Sequence, residues 1–226
     1  MSSETNMDLA PLPVGLVHGL GRGSGSMTVM AHRLFTERFA VFTVDYPSTE
    51  ESLTELRENV ANQVRQAVGD ARCDLVGHSL GGIIALQLKN GLLGKQVRRV
   101  VQLGSPNLGS PLADLARKIP GVADVMGPTL DTLAQRDIEL LKLPEDQCYL
   151  LGAIAGTGGW RMVTQLYGLA GENDGKVSVE SALGSDPGNA VVLDSSHSLL
   201  PVSGAVGEQV IRFLRDGHFD GAGDAE

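Results

Sequence analysis

The sequence predicts a three-layer α/β fold, a mostly parallel six-stranded sheet with helices on both faces. Three observations predict it. Short apolar runs alternate along the chain with stretches of helical periodicity, the pattern that βαβ units leave in a sequence. Glycine is abundant, 29 of 226 residues, as tight strand-to-helix turns require. One such junction reads Gly77-His78-Ser79-Leu80-Gly81, a turn that places a serine between a strand and a helix.

The elements follow in order. Val14 to Val17 is a short apolar run closed by His18-Gly19, and Ala40 to Val44 is a second, closed by Asp45-Tyr46-Pro47. Both read as buried strands. Between Glu51 and Ala67 the apolar positions Leu53, Leu56, Val60, Val64 and Ala67 fall three or four apart among charges. That spacing is an amphipathic helix. Asp74 to Gly77 is the third strand, and Leu80 to Leu88, with few polar positions, is a buried helix. Val97 to Leu103, Tyr149 to Ala155 and Ala190 to Leu193 supply three more strands, and Val206 to Leu214 the last helix.

Two connections carry more chain than a crossover needs. Ser105 to Gln147 holds two helical patterns, Leu112, Leu115, Ile119 and then Leu130, Leu133, Ile138, Leu141. One helix is enough to join neighbouring parallel strands. The surplus is either ordinary packing on the sheet or a small helical cap over the strand ends, so residues 105–147 are the candidate cap of a single domain spanning 1–226. Gly156 to Glu172 carries the sole tryptophan, Trp160, together with Leu166 and Tyr167. An apolar loop there is a candidate acyl pocket or a short packed helix, and these three residues are the candidate substrate contacts.

Composition narrows the function. Hydrophobic residues make up 42% and charged residues 20%, ample for a packed core. The net charge is -9 and no basic run is longer than the pair Arg98-Arg99. A nucleic-acid or anionic-membrane partner would need a basic stripe, so neither is expected. No apolar run approaches the ~20 residues of a spanning helix, and Met1 to Ala10 lacks the basic and apolar regions of a signal peptide. The expected compartment is the cytoplasm. Gly21 to Gly25 looks like a phosphate loop but has neither the P-loop spacing nor its lysine.

The chemistry starts at Ser79. A sharp strand-to-helix turn crowds the backbone at the positions two before and two after the serine. Here these are Gly77 and Gly81, and Gly82 lets the helix lie close to the sheet. Acyl transfer also needs two N–H groups aimed at the developing oxyanion. Leu80, next to the serine, supplies one, and Leu20, behind Gly19 at the first strand's end, supplies the other. A hydroxyl is a poor nucleophile without a base. Of five histidines, His18 sits in the oxyanion turn, His32 on a helix, His78 beside the serine but aimed elsewhere, and His218 in the tail. His197 follows the last strand in Leu193-Asp194-Ser195-Ser196-His197, where it can reach over Ser79.

Taken together, these residues resemble the α/β-hydrolase superfamily in the chain order Ser, acid, His. The closer likeness is to small bacterial triacylglycerol lipases and esterases. His18-Gly19-Leu20-Gly21, Gly77-His78-Ser79-Leu80-Gly81-Gly82 and Gly104-Ser105-Pro106-Asn107-Leu108-Gly109-Ser110 carry it, with Asn173-Asp174-Gly175-Lys176-Val177 and Ser196-His197. The resemblance spans residues from about 14 to 214. It implies the α/β-hydrolase fold, an acid in an Asp-Gly-x-Val loop at Asp174, and no cofactor. Some relatives hold a structural calcium, but no carboxylate cluster here suggests one, so no metal is expected. The implied strand order puts Ala40, Val14, Asp74, Val97, Tyr149 and Ala190 side by side. Cys73 and Cys148 then start strands two spacings apart, ~9.6 Å, beyond the ~7 Å reach of a disulfide. Two free thiols are expected.

The residues themselves leave three carboxylates as the acid, since Asp74 lies at the wrong end of its strand. Asp45 would break the usual chain order, and Asp194 lies close before His197. Asp174 sits in the tight turn Glu172-Asn173-Asp174-Gly175, whose N–H groups can keep it ionised. The expected activity is hydrolysis of carboxylic esters of short to medium acyl chain, or lipids, through an acyl-enzyme. Ser79, Asp174 and His197 are the triad, and Leu20 and Leu80 form the oxyanion hole. A thioesterase or polyester depolymerase would use the same machinery, and a silent binding protein on this fold is the reading from another class.

Overall fold

Six strands build the core of the chain. A computed structural model describes residues 11–134, 150–160, 164–165, 168–169, 171–184 and 189–220. The strands are β1 (Val14–Val17), β2 (Val41–Val44), β3 (Cys73–His78), β4 (Val97–Leu103), β5 (Leu151–Gly156) and β6 (Asn189–Leu193). They form one sheet in the order β2-β1-β3-β4-β5-β6, and every neighbouring pair is parallel. The expected order is the one found, and the sheet is parallel throughout. Parallel strands buried on both faces read as continuous apolar runs, as Val14-Gly15-Leu16-Val17 does.

The helices are α1 (Thr28–Thr36), α2 (Leu53–Val68), α3 (Leu80–Asn90), α4 (Pro111–Arg117), α5 (Val122–Met126), α6 (Thr129–Ala134), α7 (Val179–Leu183) and α8 (Gly204–Asp216). Helices α2 and α3 cover one face, packing Leu56, Val60, Ile83 and Leu86 against Val17, Leu75 and Val100. Met30 and Leu34 of α1 and Val206, Val210 and Phe213 of α8 cover the other, against Leu16, Val76 and Val101. Alternation along each strand, with Leu75 on one face and Val76 on the other, is what divides the core in two.

Start signals agree with these bounds. Ser52 caps α2 through a capping box with Glu55, and α8 ends on Gly217 in the left-handed region. Asp74, at the amino end of β3, is buried against Arg98, whose guanidinium also donates to Leu214 O at the end of α8. That pairing assigns the Arg98-Arg99 doublet a structural role. Cys73 is a buried free thiol, pushed up to about 12 by burial, while Cys148 lies outside the described residues. No described helix is long and apolar enough to cross a membrane.

The described part of the β4–β5 connection holds three short helices, α4, α5 and α6, and the second predicted pattern runs on past α6 into residues 135–149, outside the described set. Gly121 and Gly127, both at positive φ, separate them. The carboxyl ends of β1, β3, β4, β5 and β6 open on one edge of the sheet, where ligands of parallel α/β folds bind.

Candidate active site

Ser79 is the residue between β3 and α3, and its backbone is strained, with φ 53 and ψ -120. A non-glycine residue at positive φ costs of order 1–3 kcal/mol and persists only where its surroundings impose it. Here they do. A Cβ on Gly77 would run into the Gly81 carbonyl, and one on Gly81 into the carbonyl oxygens of Val17 and His18. The Ser79 amide donates to Leu103 O at 2.9 Å, which anchors the turn to the end of β4. Neither the Leu80 N–H nor the Leu20 N–H donates to another described residue.

His197 and Asp174 come together from different loops. The imidazole Nδ1–H donates to Asp174 Oδ2 at 2.7 Å, and both side chains are buried. The other carboxylate oxygen, Oδ1, accepts from the Lys176 and Val177 amides at 2.9 and 2.8 Å. The His197 amide donates back to Asp174 O at 2.8 Å. Both loops are therefore fixed by backbone and side chain at once. With Nδ1 engaged, Nε2 is the ring nitrogen left for proton transfer. Gly104, at φ +59, lies against this pair: a Cβ there would sit 2.9 Å from Asp174 Oδ2 and 2.6 Å from Leu200. The other two carboxylates weighed above are elsewhere. Asp194 is exposed, and Asp45 Oδ1 accepts from the Ser24 amide.

Two further histidines support the edge. His18 is fully buried, stacked on Tyr46 with centroids 4.1 Å apart and planes 10° from parallel. Its Nδ1–H donates to Gly19 O at 3.0 Å, so Nε2 is the acceptor of the Tyr46 N–H. The ring is accordingly neutral, and Asp45 at 3.5 Å forms no ion pair with it. Burial lowers its pKa more than the Gly19 carbonyl and Asp45 raise it. The Tyr46 hydroxyl donates to His18 O at 2.5 Å, pinning the loop that leads to Leu20.

His78 is not aimed away from the site, as its place beside the serine suggested. It lines the same cavity and contacts His197. The sequence held a signal for this. Two residues after Val76, alternation puts His78 on the α1–α8 face, the side from which the His197 loop arrives. Asn107 was also missed as a positioning residue: it donates to Gln102 and to Ala182 O, tying the loop after β4 to α7.

Ser79, His197, Leu20 and Gly19 line one cavity of about 210 Å³. Its apolar wall comes from α4, α5 and α6, through Leu112, Ala116, Met126 and Leu133. Trp160 does not belong to it. The indole is 80% exposed and outside the lining, because the segment after β5 turns toward solvent there. Leu166 and Tyr167 lie outside the described residues. Among the described residues the apolar wall is supplied by the crossover helices.

Residues 16–211 match the family model described as the alpha/beta hydrolase family. Among solved structures, the chain is similar to the mature form of the lipase BlEst2 of Bacillus licheniformis, at 22% identity and a TM-score of 0.70 over 92% of this chain and 93% of that one. It is similar to the metagenomic carboxyl esterase MGS0156, at 19% identity and a TM-score of 0.60 over 85% of this chain and 66% of that one. The carboxylesterase CesB of Bacillus subtilis gives 15% identity and a TM-score of 0.55 over 92% of this chain and 85% of that one.

Proposed function

The chain belongs to the alpha/beta hydrolase family, and on that footing we propose that it is a serine hydrolase that cleaves carboxylic esters of short to medium acyl chain through an acyl-enzyme. The observation that carries this reading is the 2.7 Å Asp174–His197 contact beside a cavity that Ser79 also lines. Ser79 Oγ attacks the ester carbonyl while His197 Nε2 takes its proton. Asp174 holds the imidazole by Nδ1–H and steadies the imidazolium. The Leu20 and Leu80 amides receive the oxyanion. His197 passes the proton to the departing alcohol, then takes one from the water that attacks the acyl carbonyl and returns it to Ser79 Oγ as the acid leaves. No cofactor enters.

Cavity size supports the chain-length part. About 210 Å³ is below the ~300–1,000 Å³ of drug-sized ligand sites. Helices α4–α6 act as a cap that supplies the acyl wall.

A fluorophosphonate probe tests the nucleophile, with Ser79→Ala as the control. Labelling of Ser79 in the folded chain is the expected result, and its absence would leave a binding protein. Hydrolysis of p-nitrophenyl esters from acetate to palmitate, run beside acyl-CoA thioesters, tests the substrate class. Short or medium esters are expected to be fastest. A thioester preference would move the enzyme to the thioesterase reading.

A further inference from the structure

Arg22 and Lys176 line the same cavity as Ser79 and His197, and the reaction above uses neither charge. They come from different loops. Arg22 stands two residues past Leu20, and its guanidinium donates to the hydroxyl of Ser198, the neighbour of His197, at 3.1 Å. Arg22 thus stands on the His197 side of the cavity. Lys176 belongs to the turn that holds Asp174, its amide bound to Asp174 Oδ1 and its carbonyl accepting from Ser110 Oγ at 3.0 Å.

Among the described residues no carboxylate lies within ion-pair distance of either head group. Asp174 is committed to His197 and two amides, and Asp45 to the Ser24 amide. The two cations also feel each other: after burial, the Arg22 charge is the next cause that lowers the Lys176 pKa, against the pull of Asp174. Both residues are solvent-accessible, so an anionic group arriving from water can reach their charges.

The direction of proton transfer says which part of a substrate meets them. His197 protonates the leaving alcohol oxygen, so the alcohol portion lies beside His197 and the acyl chain lies against the apolar wall. We propose that Arg22 and Lys176 form an anion subsite for the alcohol portion, so that the preferred esters carry a carboxylate or a phosphate there. A guanidinium meets either anion with two parallel N–H donors, and the ammonium adds a point charge. This subsite rests on the serine esterase reading above and narrows its substrate class.

Three aryl acetates of similar size test it: methyl 4-acetoxybenzoate, which is neutral, 4-acetoxybenzoate and 4-acetoxyphenyl phosphate. The readout is the ratio of kcat/KM for each anionic ester to that for the neutral one, corrected for spontaneous hydrolysis. At about 0.02 M salt the wild-type ratio is expected to exceed unity by roughly five- to tenfold, and to shrink toward about 0.5 M as screening sets in. The faster of the two anions identifies the group. In Arg22→Gln/Lys176→Gln the ratio collapses, whereas Lys176→Arg keeps it. A wild-type ratio near unity, or one that survives in the double variant, overturns the subsite while leaving the esterase intact. So does an equal fall on all three esters, which would make Arg22 a strut for the oxyanion loop. Hydrolysis of none of them by the wild type would sink the esterase reading itself.

Discussion

The Nε2 of His78 lies 3.0 Å from the backbone carbonyl of His197, and the two rings are 4.8 Å apart between centroids. A carbonyl oxygen only accepts, so Nε2 carries the proton. His78 Nδ1 is then a lone pair, buried without a partner. One bond thus joins the strained turn that carries Ser79 to the loop that carries His197. Burial, then the His197 ring, hold the His78 pKa down to about 3 and keep the ring neutral, while the bond to His197 O pulls the other way.

Stability should therefore fall on the acid side through His78. Unfolded, the imidazole titrates near 6.5; between that pH and about 3 the unfolded chain binds a proton that the native one does not. Stability then rises with pH across this window, is complete above it, and is lost as pH drops. At pH 5 the deficit is of order 2 kcal/mol. Urea unfolding at pH 7.5 and pH 5 checks it in the wild type and in His78→Gln, whose amide can still donate. The midpoint of the variant should drop much less; equal drops in both would show that other groups govern the acid side.

Tyr46 holds the loop before Leu20 through His18, and on the proposed reading that loop supplies an oxyanion donor. Tyr46→Phe removes the 2.5 Å bond to His18 O but keeps the stacked ring. A buried carbonyl left without that donor costs ~1–3 kcal/mol. The Leu20 amide then loses its fixed aim, so kcat on a p-nitrophenyl ester should fall about three- to tenfold, short of the ~10²–10³ for deleting an oxyanion donor outright. Unchanged kcat alongside reduced stability would assign Tyr46 to packing alone.

The strands, the elbow and the Asp174 turn were legible from local rules, whereas the strand order came with the family resemblance. Continuous apolar runs mark buried parallel strands, glycines flank Ser79 where a Cβ would strike backbone, and the Asn173-Asp174-Gly175 turn offers amides to a carboxylate. Which segment walls the cavity was not legible. Trp160 and Met126 are both apolar residues in long connections, and nothing local says which of two loops folds inward. That is decided by α4–α6 packing Ala113, Leu130 and Leu133 onto the core beside α3. The cationic pair was equally hidden, since Arg22 and Lys176 are 154 positions apart and meet only through the parallel order of β1 and β5.

Chain-length selectivity should follow the crossover helices. Ala116 lines the cavity, so Ala116→Phe should take up acyl space and raise the acetate-to-octanoate ratio of kcat/KM by roughly tenfold, the scale of one or two methylenes in an apolar pocket. Trp160→Ala should leave that ratio unmoved, because the indole is outside the lining. A shift in the second variant and none in the first would return the acyl site to the segment after β5.

The acid is tested by the pair Asp174→Asn and Asp194→Asn. In the native site Oδ1 of Asp174 accepts two amides and Oδ2 accepts the His197 Nδ1–H. An asparagine has one accepting oxygen for these three donors. Turned to keep the two amide bonds, it presents its NH₂ to Nδ1, which must then become the acceptor. The ring proton moves to Nε2, and the base that should receive the Ser79 proton is lost. kcat should fall by roughly 10³–10⁴ with little change in KM, since the substrate touches neither oxygen. Asp194 is exposed, so its amide should cost tenfold or less, in the manner of a surface change. Steady-state kinetics on one p-nitrophenyl ester would separate the two. The reverse ranking would make Asp194 the partner of His197 during turnover and reduce the 2.7 Å Asp174 contact to a structural one.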